Sequence, residues 1–400
     1  MAPEPDENPS PARRRKILEN YRLQKMARSA HAFVRGSAGL FYEYLSEQRG
    51  NVPSGPAIWI CGDCHSGNLG PLANADGDVE IEIRDLDQTV IGNPAHDLIR
   101  LALSLAMAAR GSDLPGVVTE KMIEQMIDGY QEALSGRPDL KHRPSSIRLA
   151  MKEAVAGSWK KLAKRSIKET RPDIPRGKSF WDLSRREESA LKTLVATEEV
   201  SHLATLLKSR EADSEVAFVD AAYWRKGCSS LGLFRSAALL EVDGDDDHSF
   251  CLLDIKQAIK PVAPHQKGAK MPRNSAARVV EGARQLSPFL GNRMIASSLL
   301  HREVFIRELL PQDLKLEIED LKPHEAVTVG RYLAAVVGRA HARQMDTATR
   351  NSWRREVGRT KAKFLDGPSW LWTSVLSLIA RHETAYLEHC RHYAESTSDR

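Results

Sequence analysis

The chain has 400 residues, 42% of them hydrophobic and 28% charged, a globular composition long enough for more than one packed unit. Five cysteines are too few for a disulfide framework, no run approaches 18 apolar residues, and the first residues lack a signal-peptide core, so a reduced, cytoplasmic setting with no membrane partner is expected. A net charge of +5 does not call for nucleic acid and suits a small anionic partner.

Residues 1–11, Pro-rich and acidic, read as a disordered tail. Helix is predicted over 12–48 from apolar Ile17, Leu18, Tyr21, Phe33, Leu40, Phe41 and Tyr44, with the basic run 13–16 as its solvated start. After a break at Pro53 and Pro56, residues 57–60 form a short buried strand. Val79, Ile81 and Ile83 alternate with Glu80 and Glu82, a period-2 strand preceded by turn residues at 74–78. From 94 to 207 the pattern is mostly helical, with Val118, Met122, Ile123, Met126, Ile127 and Tyr130 on one face and an exposed loop at 170–179. Three strands are predicted near 217–223, 236–242 and 250–255, the last two joined by an acidic turn at 243–248 that reads as a solvated hairpin tip. Helix returns at 274–290, a strand at 304–309, and helices at 323–345 and 367–393.

This order is α+β, not strict strand–helix alternation. It divides the chain into the tail at 1–11, a mainly helical part at 12–215, a β-rich part at 216–322, and C-terminal helices at 323–400 that pack on the helical part.

The stretch Ile60-Cys61-Gly62-Asp63-Cys64-His65-Ser66-Gly67-Asn68 follows an apolar strand and leads through a hairpin to Arg84-Asp85-Leu86-Asp87. Phosphoryl transfer from ATP needs a carboxylate to take the acceptor's proton and oxygen ligands to hold Mg²⁺ against the phosphates. Asp63 and Asn68, five residues apart, resemble a kinase catalytic loop, with Asp63 as base and Asn68 as metal ligand. Asp85, 17 residues after Asn68 at the end of the alternating strand, is placed for a second metal ligand, with Asp87 assisting. His65 stands where aminoglycoside- and choline-kinase-like enzymes tend to have His and would support the loop. Asp97, in the helix start 92–98, would brace the loop from behind.

The same stretch contains Cys-x-x-Cys-His at 61–65, the pattern of covalent haem attachment, but it follows a strand and no export signal precedes it. A zinc site would need a second ligand pair, and Cys228 and Cys251 are lone; a redox role lacks a thioredoxin-like setting. His382, His389, Cys390 and His392 read as a solvated helix, and His341 as a core or capping histidine.

The second half offers a nucleotide cradle. Gly227, Ser229, Ser230 and Gly232 form a small-residue loop between two predicted strands, where backbone amides could approach phosphates. Lys256 ends the apolar strand 252–256, a costly place for an unpaired cation; a kinase-like role would hold phosphates there, oriented by Glu281. Because this half follows the catalytic loop, the arrangement is that of a circularly permuted kinase-like fold. Permutation is physically allowed, since termini can be relocated to exposed loops.

The segments 31–36, 61–70, 84–87, 97–98, 227–232, 254–258, 278–282 and 339–343 resemble the bacterial domain-of-unknown-function family 2252. The resemblance implies a kinase-like, aminoglycoside-phosphotransferase-like fold: a small antiparallel β-sheet lobe and a larger helical lobe, using ATP and Mg²⁺. Arg35, within the first segment, would contact an anionic phosphate, stabilise the catalytic loop or form a structural ion pair. The expected activity is an ATP/Mg-dependent phosphotransferase acting on a small-molecule or protein hydroxyl. The acceptor pocket is expected among helices of 117–215 and the C-terminal helices. AMP transfer onto protein and a nucleotide-binding pseudo-enzyme acting through a protein partner remain alternatives.

Overall fold

The computed structural model describes residues 8–48, 52–138, 140–156, 173–228, 230–243, 248–310, 322–358 and 369–398. Residues 12–48 form three helices rather than one: α1 (Pro11–Ala27), α2 (Ala30–Gly36) and α3 (Ala38–Glu47). Ser29 interrupts the run by accepting a hydrogen bond from Ala32 N at 3.1 Å, which starts α2. The basic start is not wholly solvated. Arg14 is buried, 2.9 Å from Glu187 and 4.5 Å above the Tyr223 ring, because α1 lies against the β-rich part.

Two small ladders follow. β1 (Ile58–Ile60) pairs antiparallel with β4 (Val90–Gly92), and β2 (Leu69–Ala73) pairs with β3 (Val79–Ile83), with Leu69 opposite Ile83. Beyond them come α4 (Ala95–Gly111), α5 (Gly116–Leu134) and α6 (Ser145–Ala156), then α7 (Arg185–Val195) and α8 (Glu198–Thr205). Ser184 and Glu187 start α7 as a reciprocal capping box. In the expected exposed loop at 170–179, the described residues 173–179 are largely exposed, but Ile174 is buried as an anchor on the sheet.

The main sheet is antiparallel throughout, in the order β5-β6-β7-β8-β10-β9. Its strands are β5 (Phe180–Trp181), β6 (Glu215–Trp224), β7 (Arg235–Asp243), β8 (His248–Gln257), β9 (Met294–Leu299) and β10 (Arg302–Glu308). The tip of the acidic turn, 244–247, lies outside the described residues. The remaining helices are α9 (Ser275–Leu286), α10 (Pro288–Gly291), α11 (Pro323–Ala342), α12 (Thr347–Gly358) and α13 (Ser369–Ser398). The architecture is mixed α+β. Among the described residues, no helix is long and apolar enough to cross a membrane.

Two large hydrophobic clusters organise the molecule. One joins α4, α5, α11 and α13 with β1–β4, and reaches Phe305 of β10 and Met294 of the edge strand β9. The other lies between the main sheet, α7, α8 and Leu18 of α1. α5 and α11 approach closely enough that a Cβ added to Gly129 would sit 2.2 Å from the Arg331 carbonyl oxygen.

The expected solvated helix holds at the exposed His392 but not at the other C-terminal histidines. His382 is fully buried, with Nδ1 2.9 Å from the Leu378 carbonyl and its ring edge-on to Tyr44. His389 Nε2 lies 3.0 Å from the Leu23 carbonyl. The polar-looking face of α13 is turned onto α1, α2 and α3, which accounts for the difference.

Candidate functional site

The hairpin β2–β3 sets the geometry. Its register places Asn68 opposite Arg84, and Arg84 N donates to the Asn68 carbonyl at 2.7 Å. The end of the loop 63–68 and the Asp85–Asp87 turn therefore leave the same end of one ladder. Asn68 Nδ2 donates to the Asp63 carbonyl at 2.9 Å, which closes the loop on itself.

Asp63 is buried. Its Oδ1 accepts from Arg100 Nε at 2.8 Å, and its Oδ2 lies 4.0 Å from His65 Nε2. Burial pushes the Asp63 carboxyl up, against the pull of Arg100. Burial and the nearby Arg35 and Arg100 push His65 well below the ordinary imidazole range, so it is neutral at pH 7.

A buried chain of polar side chains fixes the loop from behind. Asp97 accepts from Cys61 N at 2.7 Å and Gly62 N at 2.9 Å. His341 Nε2 lies 3.1 Å from Asp97 Oδ2, and Tyr130 Oη lies 2.9 Å from His341 Nδ1. Trp353 Nε1 then donates to Tyr130 Oη at 2.9 Å. Gly62 itself has φ +77°, and a Cβ there would lie 2.2 Å from the Gln88 carbonyl, so the position requires glycine. Cys61 and Cys64 are fully buried under the loop, their sulfurs and an Asp97 oxygen within 4.8 Å of one another. Burial raises the Cys61 thiol well above its ordinary pKa, the setting of an inert rather than a reactive cysteine.

Across the cleft, Lys256 on β8 is 4% exposed and lies 3.4 Å from Asp85 Oδ1, and it also contacts Asp87. The Asp85 side chain is 44% exposed and that of Asp87 21%, so the pair borders solvent. Burial pushes Asp87 up, and neighbouring Asp85 adds to the push. Burial acts the same way on Asp85, but Lys256, the contact with Asp87, and Arg307 and Arg235 outweigh it and hold its carboxyl low. Asp87 Oδ1 is buried without a hydrogen-bond partner. Two carboxylates on one ammonium, one oxygen of them orphaned, make an oxygen-rich corner whose ligand type suits a hard divalent cation such as Mg²⁺, with Arg84, Arg235 and Arg307 close by.

Glu281 does not join Lys256. It accepts from Gln285 Nε2 at 3.1 Å and lies 3.9 Å from Arg284, while Lys256 turns to Asp85 and Asp87. The reason lies in the face of α9. Arg278, Val279, Val280, Gly282 and Ala283 are among its buried residues, leaving Glu281 half-exposed. The neighbour that does reach the Asp87 turn is Arg278, which donates to the Asp87 and Ile259 carbonyls at 3.0 Å and also to that of Thr89.

Gly227 and Gly232 both adopt left-handed backbone, φ +105° and +101°, in the loop joining β6 to β7. A Cβ on Gly227 would lie 2.6 Å from Ser230 Oγ. Ser229 lies outside the described residues.

Several supporting residues were not evident from the sequence. Arg100, which holds Asp63, sits three residues after Asp97 in an otherwise apolar stretch of α4; a lone cation in such a stretch is the signal that could have found it. Asp254, two residues before Lys256 on the same strand face, is buried between Arg235 at 2.6 Å and Arg307 at 3.2 Å. These pairings fix both arginines beside Lys256 and Asp85, with which they line a small cavity.

A family model described as an uncharacterized protein conserved in bacteria (DUF2252) matches residues 14–392. No curated protein and no solved structure matches the chain.

Proposed function

Starting from the fact that the chain belongs to the DUF2252 family of bacterial proteins, we propose that it is a phosphotransferase that uses Mg-ATP, built as a circularly permuted kinase-like fold with the main sheet as its nucleotide lobe. The observation that carries this reading is the meeting of Asp85 and Asp87 with Lys256 from the other half of the chain, beside Asp63 and Asn68. That combination of base, oxygen ligands and phosphate-binding cation is what transfer from ATP requires.

The protein's own groups divide the work as follows. Arg100 occupies Asp63 Oδ1, so Oδ2 is the atom that takes the acceptor's hydroxyl proton. A raised carboxyl pKa suits that role. The acceptor oxygen bonds to the γ-phosphorus as the bond to the β–γ bridging oxygen breaks, and that oxygen leaves on ADP. Lys256 binds phosphate oxygens, and neutral His65 packs beside the base without competing for its proton. Asn68, Asp85 and Asp87 would hold Mg²⁺, which when bound neutralises charge on the phosphates.

The test is titration calorimetry of ATP with and without Mg²⁺, followed by turnover. Wild type should bind ATP in a Mg-dependent way, and Asp85→Ala should lose that dependence. Asp63→Asn should keep nucleotide binding but lose about a hundredfold or more in turnover. Absence of ATP binding in wild type would end the proposal. Pyrophosphate in place of ADP among the products would replace it with AMP transfer.

A further inference from the structure

Four basic side chains of α1 and α2 gather near the loop 63–68 and Gly227. Arg35 lies against the catalytic loop itself: a Cβ on Gly67 would sit 2.6 Å from its Nη2. Its charge acts on Asp63, on His65 and on Cys228 in the β6–β7 loop. His31, one turn earlier on α2, also acts on His65. Lys25 donates to the Gly227 carbonyl at 2.9 Å, and Arg22 to the Gly36 carbonyl at 3.1 Å; both act on Cys228, as does Asp63.

These groups lie where α1 and α2 meet the loop 63–68 and Gly227 and Cys228 just past the end of β6: the Gly36 position itself lies against Cys228, a Cβ there falling 3.2 Å from its sulfur. All four are partly exposed. Cations are crowded there. Burial lowers the pKa of Lys25, and the charges of Arg28 and Arg225 lower it further. Asp63, whose carboxyl feels the Arg35 charge, has one oxygen on Arg100.

We propose that this basic rim is the acceptor subsite, and that the acceptor is a small hydroxyl compound carrying a carboxylate or phosphate group. Arg35 and Lys25 bind the anionic group while the hydroxyl lies at Asp63 Oδ2. This rests on the phosphotransferase reading above, and it moves the acceptor from the helices of 117–215 to α1 and α2. The physical reason is charge. An anion brought beside the triphosphate is repelled unless fixed cations stand between them, and a guanidinium matches carboxylate and phosphate geometry with paired hydrogen bonds. A cationic acceptor would meet like charge on entry.

The test uses four hexose probes of similar size: glucose, glucosamine, glucuronate and glucose 6-phosphate. Each is titrated into full-length protein saturated with Mg²⁺ and a non-hydrolysable ATP analogue. At least one anionic probe should bind tenfold or more tightly than glucose and glucosamine. Comparing glucuronate with glucose 6-phosphate tells which anion the subsite prefers. Arg35→Gln should remove most of that preference and leave analogue affinity unchanged, Lys25→Gln should weaken it as well, and Arg35→Lys should restore part of it. Equal or tighter binding of glucose or glucosamine, no binding of any probe, or an unchanged preference in Arg35→Gln would overturn the inference. If the analogue fails to bind but an anionic probe still binds through Arg35, the phosphotransferase reading falls and the anion subsite stands alone.

Discussion

Burial of the His382 imidazole lowers its pKa to about 4. An unfolded chain returns it to about 6.5. Between these values the unfolded state binds the extra proton, so this group makes stability fall as pH drops from about 6.5 to 4. Glu82 acts in the opposite direction. Burial raises it to about 7, against the pull of Arg343 and Arg339. There the folded state holds the extra proton, and stability falls as pH rises from about 4.5 to 7. Thermal melts across pH 4–8 should therefore show a flatter acid limb for His382→Gln and a smaller loss toward neutral pH for Glu82→Gln. At this scale the sequence was partly readable. Asp63, Asn68, Asp85 and Lys256 are polar residues at or near the ends of apolar strands, and the fold joins Asn68 to Asp63 and Lys256 to Asp85. Arg100 and Asp254 were not readable, because their roles depend on partners distant along the chain, and Glu281 was misassigned because a helix sequence does not say which half-apolar face turns inward.

The element that fixes the proposed catalytic loop is the Asp97–His341–Tyr130–Trp353 chain, which joins α4, α11, α5 and α12. Removing Asp97 leaves two buried backbone N–H groups without acceptors. Asp97→Ala should cost several kcal/mol by denaturant unfolding, at about 1–3 kcal/mol per unsatisfied group. Tyr130→Phe, which breaks the chain between Trp353 and His341, should cost about 1–3 kcal/mol. The α5–α11 contact gives a matched pair of glycine changes. Gly129→Val has no room beside the Arg331 carbonyl and should destabilise by about 1–3 kcal/mol. Gly39→Ala, in α3 with nothing within 4 Å of the new carbon, should stabilise by about 0.5–1 kcal/mol. Elements with one clear period were legible: β3 alternates, and α5 keeps one apolar face. β2 was not, since Pro71 interrupts its pattern, and β9 was not, since it carries too few apolar residues. The break between α1 and α2 was missed because the N-cap Ser29 sits inside an otherwise helical run.

At the scale of the molecule, α+β organisation was legible from the order of periodic segments, because a strand cluster between helical stretches admits few other layer arrangements. What joins the parts was not, since it rests on pairs such as Lys256 with Asp85 that lie far apart in sequence. A cation at Asp85 and Asp87 would bind only the folded chain and should raise its melting temperature. Millimolar Mg²⁺ should stabilise wild type in a thermal melt, and Asp87→Asn should lose most of that gain; an equal gain in the variant would remove Asp87 from the metal site. The link of the brace from Asp97 to His341 has a consequence for synthesis. The ribosome releases the segment with Asp63 early, but His341 emerges only after both halves of the cleft have been made. A nascent chain therefore carries its proposed reactive loop unbraced, and acquires the fixed loop only when α11 docks against α5. On the proposed phosphotransferase reading, this folding order would keep unfinished chains from spending nucleotide.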